Sequence, residues 1–304
     1  MNKRNKKKNL QRDAVRPNKL LGQNFLIDKN ILKKIIAVAN LTNDDTVLEV
    51  GPGTGFLTEE LIKYAGKVIA IEKDKSLAAS LKAKLVNVKN VEIIEGDVLE
   101  LLKNPPQPSP ASSAGQALKG GSKNSSPPLG VVKGDLLPNG YKVVANIPYY
   151  LTSHLIRLLL ESANPPQEMI LMIQKEVAQR ICARPPKMTL LSVATQFYAQ
   201  PEIIAPVSKN SFWPAPKVDS AIIKLTPYQK FSSQIAPELF FKIIRAGFAH
   251  PRKQLLGNLS GGLATEKEKI KTALDNLGLK NTQRAETLKM DDWINLARII
   301  SNLK

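Results

Sequence analysis

The sequence predicts an α/β fold: a nucleotide-binding sheet built of βα units, followed by a smaller all-helical unit. Three observations carry this. Short apolar runs of strand type recur along the chain and end in a glycine or an acid. The first of them, Thr46-Val47-Leu48-Glu49-Val50, runs straight into Gly51-Pro52-Gly53-Thr54-Gly55 and then a helical pattern, which is the first βα unit of such a sheet. From Pro237 onward the apolar spacing is helical throughout.

Composition bounds what the fold serves. A chain of 304 residues, 43% hydrophobic, holds one full α/β domain and a smaller one. It contains neither an apolar run long enough to span a membrane nor a signal-peptide core, so a soluble cytoplasmic protein is expected. Cys182 is the only cysteine, which excludes an internal disulfide and a cysteine-based cluster, and with His154 and His250 as the only histidines no metal site is expected. The charge is the strongest compositional clue: 44 Lys and Arg stand against 26 acids, a net +18. Residues 1–20 supply +7 of this, leaving +11 on the rest. The excess is therefore not only a tail effect, and a polyanionic partner, nucleic acid before anionic lipid, is favoured over a merely solvated basic surface. Residues 1–18 lack a hydrophobic pattern and read as a disordered basic tail.

Order is expected from Lys19. Gly22-Gln23-Asn24-Phe25-Leu26-Ile27-Asp28 precedes a helix-spaced run of Ile31, Leu32, Ile35, Ile36 and Val38. After the glycine loop, where Thr58 is expected to cap the next helix, the strand Lys67–Ile71 delivers Glu72. An acid at that strand end suits two ribose hydroxyls. The loop is neither the GxGxxG of dinucleotide enzymes nor a P-loop, and Glu49 beside it is a poor neighbour for a pyrophosphate but a good one for an amine or a cationic centre. A third unit, Val91–Glu95, ends in Gly96-Asp97, a carboxylate able to accept from an adenine amine. Adenosine recognition without phosphate recognition points to S-adenosylmethionine. Each acid alone reads as a surface carboxylate; the ordered set does not.

Residues 104–134 interrupt the rhythm. Of these 31 residues 17 are Pro, Gly or Ser and none is acidic, which reads as a flexible insertion. The pattern resumes with a strand over 142–146 that enters Asn146-Ile147-Pro148-Tyr149-Tyr150, with a helix from about Thr152, its expected cap, to Glu161. Pro148 removes a donor and pushes Ile147 extended, so the carbonyls here are expected to be free. An Asn oxygen, free carbonyls and a Tyr ring suit a flat group carrying an amine, such as a nucleobase; the alternative is a strand-to-helix turn whose polar groups satisfy only the backbone. A strand over 168–173, a helix over Gln174–Arg180 and strands near 197–207 and 218–225 complete the sheet. Between the last two, Phe212 is read as a stacking platform and Trp213 as a core plug.

Taken together, Gln23-Asn24-Phe25-Leu26, Glu49-Val50-Gly51-Pro52-Gly53-Thr54-Gly55, Asn146-Ile147-Pro148-Tyr149, Gln174-Lys175-Glu176 and Phe212 with Pro216-Lys217-Val218-Asp219-Ser220 resemble the ribosomal RNA adenine N6,N6-dimethyltransferases, in particular their bacterial small-subunit (16S) branch. The resemblance runs from about Arg16 to the C-terminus. It implies a class I methyltransferase domain over 19–228, with a Rossmann-like seven-stranded sheet whose last strand is antiparallel, and a helical RNA-contacting domain over 235–304. It implies dimethylation of two adjacent adenosines near the 3′ end of small-subunit rRNA in an assembling subunit, with S-adenosylmethionine as methyl donor and the protein acting as a monomer. Asn146, Ile147, Pro148, Tyr149 and Phe212 would be catalytic; Asn24, Leu26, Gly51, Gly53, Glu72, Asp97 and Asn146 would hold the cofactor; Arg245, Arg252 and Lys253 would meet phosphates. Three departures stand out: the insertion, Met188-Thr189-Leu190-Leu191-Ser192 where a Gly-Tyr before the Leu-Ser is usual, and one arginine instead of two in His250-Pro251-Arg252-Lys253. The competing readings are a large-subunit rRNA methyltransferase of the resistance type, a DNA adenine methyltransferase, and a non-catalytic assembly factor of the same fold.

Overall fold

The computed structural model describes residues 17–18, 21–103, 137–228 and 235–302. The insertion at 104–134, and the basic tail apart from Pro17 and Asn18, lie outside them. Along the chain come β1 (Phe25–Leu26), α1 (Lys29–Ala39), β2 (Thr46–Val50), α2 (Thr58–Leu61), β3 (Lys67–Glu72), α3 (Lys75–Lys84), β4 (Val91–Glu95) and α4 (Val98–Lys103). After the insertion follow β5 (Lys142–Asn146), α5 (Thr152–Leu160), β6 (Glu168–Gln174), α6 (Lys175–Ile181), α7 (Leu190–Gln196), β7 (Ala199–Val207), β8 (Phe212–Trp213) and β9 (Ser220–Pro227). The helical part consists of α8 (Pro237–Gly247), α9 (Leu255–Leu263), α10 (Lys267–Asn276) and α11 (Met290–Ser301).

Seven strands form one sheet in the order β4-β3-β2-β5-β6-β9-β7. Pairs from β4 to β6 are parallel, while β9 is antiparallel to both β6 and β7. The central strands are apolar on both faces because helices cover both. One face packs Leu48, Val50, Val143 and Ala145 against α5; the other packs Val47, Val144, Ile170 and Met172 against α1 and α2. Strand alternation puts Glu49 on the face of Val47 and Asn146 on the face of Val144, so both belong to the second face.

Several expected boundaries shift. Thr58 and Thr152 are not caps: each is the first residue inside its helix, the caps being Leu57 and Leu151, and a 3-10 turn over Tyr149–Leu151 precedes α5. Strand β7 begins at Ala199, because α7, which sequence periodicity does not reveal, runs to Gln196 and Phe197 terminates it. Thr189 caps α7 in a reciprocal box with Ser192, and Met188 is buried and donates its N–H to the Glu286 carbonyl at 2.9 Å. The residues departing from the usual Gly-Tyr therefore tie α7 to the helical part. Met188, Val193 and Phe197 share one core with Phe240, Trp293 and Leu296, Phe197 stacking on Phe240 with ring centroids 3.8 Å apart.

Candidate active site

The C-terminal ends of β2, β3 and β5 open onto one cleft, the usual ligand position in an open α/β sheet. Its far wall comes from a pairing that no local signal announces. β1 and β8 form a two-stranded antiparallel sheet, with Leu26 opposite Phe212 and Phe25 opposite Trp213. Two bonds lock it: Ile27 N–H donates to the Ser211 carbonyl at 2.9 Å, and the Ser211 hydroxyl to Asp28 Oδ2 at 2.9 Å. Asp28 also caps α1 through the N–H groups of Asn30 and Ile31.

The glycine loop shapes the floor. Gly53 sits at φ +58°, and a Cβ there would lie 2.9 Å from the Phe25 ring. Its N–H donates to Glu72 Oε2 at 3.0 Å, while Asp74 N–H donates to Glu72 Oε1 at 2.8 Å. Each carboxylate oxygen of Glu72 thus keeps acceptor capacity toward the cleft. Burial raises its pKa above the ordinary carboxylate value, partly offset by those N–H bonds. Glu49 is 1% exposed, and burial, with the Glu72 charge adding to it, pushes its carboxyl up to about 8. The Thr58 hydroxyl lies close by without hydrogen-bond geometry, so Glu49 Oε2 has no partner among the described residues.

On the other side, the Asn146 Nδ2 group donates to the Asn24 carbonyl at 3.1 Å. A carbonyl only accepts, so this bond fixes which end of the amide is nitrogen and turns Oδ1 away from it. Asn24 Nδ2 in turn donates to the Gly22 carbonyl at 3.0 Å. The carbonyls after Asn146 are not all free: those of Pro148 and Tyr149 accept from the N–H groups of Leu151 and Thr152 in the 3-10 turn. Ile147 differs. Its N–H donates to the Met172 carbonyl at 3.2 Å, while no donor among the described residues reaches its own carbonyl. Tyr149 shares a 2.7 Å hydrogen bond with the Ser220 hydroxyl.

Asn24, Leu26, Gly51, Gly53, Glu72, Asn146, Ile147, Pro148, Tyr149 and Phe212 all line the cleft. Phe212 is 3% exposed, so it is at once core and wall; Trp213, expected as the core plug, is half-buried and stacks on Phe25. Asp97 does not line the cleft: its Oδ2 accepts from Lys73 Nζ at 2.7 Å, and that bond holds its pKa below the usual value. Lys73 lines the cleft instead. Arg245, Arg252 and Lys253 are exposed in the helical part and are not among the residues lining the cleft. The buried Asn258 pins the loop that bears the latter two, donating to the Gly247 and His250 carbonyls at 2.7 and 3.0 Å. Sequence reasoning does not find Gln23 as a tether: its Nε2 donates to Asp74 Oδ2 at 3.0 Å, drawing residues 21–24 over the cleft.

Residues 14–302 match the model of the ribosomal RNA adenine dimethylase family. The chain belongs to this family. Among proteins similar to it are those named ribosomal RNA small subunit methyltransferase A from Dehalococcoides mccartyi (40% identical, covering 92% of this chain and 87% of that one) and from Moorella thermoacetica (39%, covering 94% and 93%). In structure it is similar to the 23S rRNA methyltransferase ErmE, with a TM-score of 0.66 at 25% identity over 91% of this chain and all of the other. It shares its fold with a dimethyladenosine transferase from Plasmodium falciparum, with a TM-score of 0.69 at 24% identity over 90% and 95%. A member of the adenine dimethylase family is a methyltransferase with a class I α/β fold, and S-adenosylmethionine is its methyl donor. The cleft fits that group: a cationic ligand answers the orphaned oxygen of Glu49, and the Glu72 carboxylate keeps acceptor capacity for ribose hydroxyls.

Proposed function

We propose that the chain dimethylates the N6 amines of two adjacent adenosines near the 3′ end of small-subunit ribosomal RNA, within an assembling subunit. The observation that carries this reading is the pair of acceptors at the end of β5. The Asn146 amide is oriented by its bond to Asn24, and the Ile147 carbonyl beside it lacks a donor among the described residues. The name shared by relatives about 40% identical to the chain supports the choice of small-subunit RNA.

In this reading S-adenosylmethionine, when bound, supplies an electrophilic methyl group; Gly51, Gly53 and Glu72 hold its adenosine half, with Asn24 and Leu26 closing the other side. Asp97, whose oxygens each accept one bond, from Lys73 Nζ and from Leu99 N–H, keeps acceptor capacity for the adenine amine. The adenine amine is a poor nucleophile because its lone pair is delocalised into the ring. Asn146 Oδ1 and the Ile147 carbonyl accept its two N–H bonds, which lets the nitrogen pyramidalise and frees the lone pair. Tyr149 and Phe212 flank the base after it leaves its stack, and positioning and electrostatics supply the acceleration. The methylated nitrogen carries the positive charge given up by the sulfonium and sheds one proton to water, so the product amine has a single N–H and the second transfer proceeds with one hydrogen bond released and a methyl group admitted. Arg245, Arg252 and Lys253 serve as phosphate contacts.

No helix among the described residues is long and apolar enough to cross a membrane. The reading includes a cytoplasmic location, where an assembling subunit is met, and action as a monomer. The test is mass spectrometry of small-subunit rRNA from cells lacking the protein. Loss of dimethyladenosine there, restored by the wild-type gene and not by Asn146→Ala, is the expected result; unchanged dimethyladenosine would overturn it.

A further inference from the structure

We infer that Ser220 is a positioning residue for methyl transfer: through its 2.7 Å hydrogen bond to the Tyr149 hydroxyl it fixes the position of the far end of the ring against which the target base lies. This rests on the reading of Tyr149 as the stacking partner of the base.

Tyr149 follows Pro148 in the 3-10 turn at the end of β5, so its backbone is held at one end while the phenol lines the cleft and its hydroxyl meets Ser220. Without a partner, the far end of such a side chain swings about its first side-chain torsion. Ser220 supplies the partner from a rigid place. It is fully buried at the first position of β9, flanked in the sheet by Gln174 on β6 and Val207 on β7. A strand with neighbours on both sides has little freedom to yield.

The residue before it holds the opposite wall. Asp219 Oδ1 accepts from Lys209 N–H at 3.0 Å, which opens the turn Lys209–Ser211 leading directly into Phe212. The Asp219 carbonyl accepts from Lys175 N–H at 3.0 Å and joins the pair to the start of α6. Two consecutive residues therefore set both rings, and with them the gap that receives the base. The second methylation needs the same gap with a bulkier amine, so it depends on that spacing more than the first.

The test compares Ser220→Ala with Tyr149→Phe, which removes the same hydrogen bond from the other end without touching the strand. Each is expected to lower kcat roughly three- to ten-fold, the worth of one hydrogen bond, with calorimetric affinity for S-adenosylmethionine unchanged. Monomethyladenosine should accumulate at the expense of dimethyladenosine. The double variant should be no worse than either single one, as befits one shared bond. Additive losses, a wild-type kcat and product ratio, or a fall in cofactor affinity equal to the fall in kcat would each overturn the proposal. Tyr149→Ala separates it from its premise. If that variant retains wild-type transfer, the stacking reading falls and the role of Ser220 with it. If it is inactive while Ser220→Ala and Tyr149→Phe are wild type, only the positioning role fails.

Discussion

Glu49 stands at the cleft with its carboxyl pushed up to about 8 by burial, against an ordinary 4.5. Between those values the folded protein keeps a proton that the unfolded chain has released, so stability of the cofactor-free enzyme should fall as pH rises through that window. One such group contributes a slope of at most about 1.4 kcal/mol per pH unit. Glu49→Gln should flatten the slope without abolishing it, because Glu72 is also raised by burial and retains its share. Urea unfolding between pH 5 and 8 reads this directly, and identical slopes would refute it. At Asn146 the expected effect is on rate. Asn146→Ala should leave S-adenosylmethionine affinity within a few-fold and cut methyl transfer on the order of 100-fold or more, measured by single-turnover transfer of labelled methyl groups; near-normal turnover would remove the support for the paired acceptors.

Among the elements, the loop between β2 and α2 is the most constrained. Gly53→Ala meets a left-handed backbone and the Phe25 ring together. It should cost about 1–2 kcal/mol of stability from the backbone conformation alone. Cofactor affinity should fall more than tenfold, since the Gly53 N–H that orients Glu72 moves with it; a thermal melt and calorimetry on one preparation separate the two losses. This loop is legible in the sequence because strand, glycines and the acid at Glu72 are local signals with a fixed spacing. Asn146 to Tyr149 is legible for the same reason. What stays hidden depends on distant partners. Nothing in Phe25-Leu26 announces Phe212-Trp213, and nothing in Asp219-Ser220 announces Tyr149. The place of Asp97 at a strand end suggests a ligand, but the place does not reveal that Lys73 pairs with one of its oxygens. Thr58 and Thr152 have the chemistry of caps, and each lies one residue inside its helix.

At the scale of the molecule, charge and core divide the work. The net +18 is shared between residues 1–20 and the rest of the chain, which bears exposed Arg245, Arg252 and Lys253. Removing residues 1–16 should flatten the log–log salt dependence of binding to small-subunit particles by several units, at roughly 0.7–0.9 for each phosphate no longer neutralised. Association should slow while the transfer step stays as it was; coincident slopes would assign docking to the folded parts alone. Helix α7 joins the cores, since Met188, Val193 and Phe197 pack among the C-terminal helices. The pairing of β1 with β8 has a further consequence, which concerns time. Asp28 and Ser211 lie 183 positions apart, and at about 5–20 residues per second their synthesis is separated by roughly 10–40 s. For the larger part of that interval, once Glu72 has been made, a growing chain owns its glycine loop and this acid but lacks the wall that closes over them. Chains stalled before Phe212 has emerged are therefore expected to retain no labelled S-adenosylmethionine on a filter. Chains stalled after Pro227 has emerged should retain it, so the enzyme becomes competent late in its own translation and almost all at once.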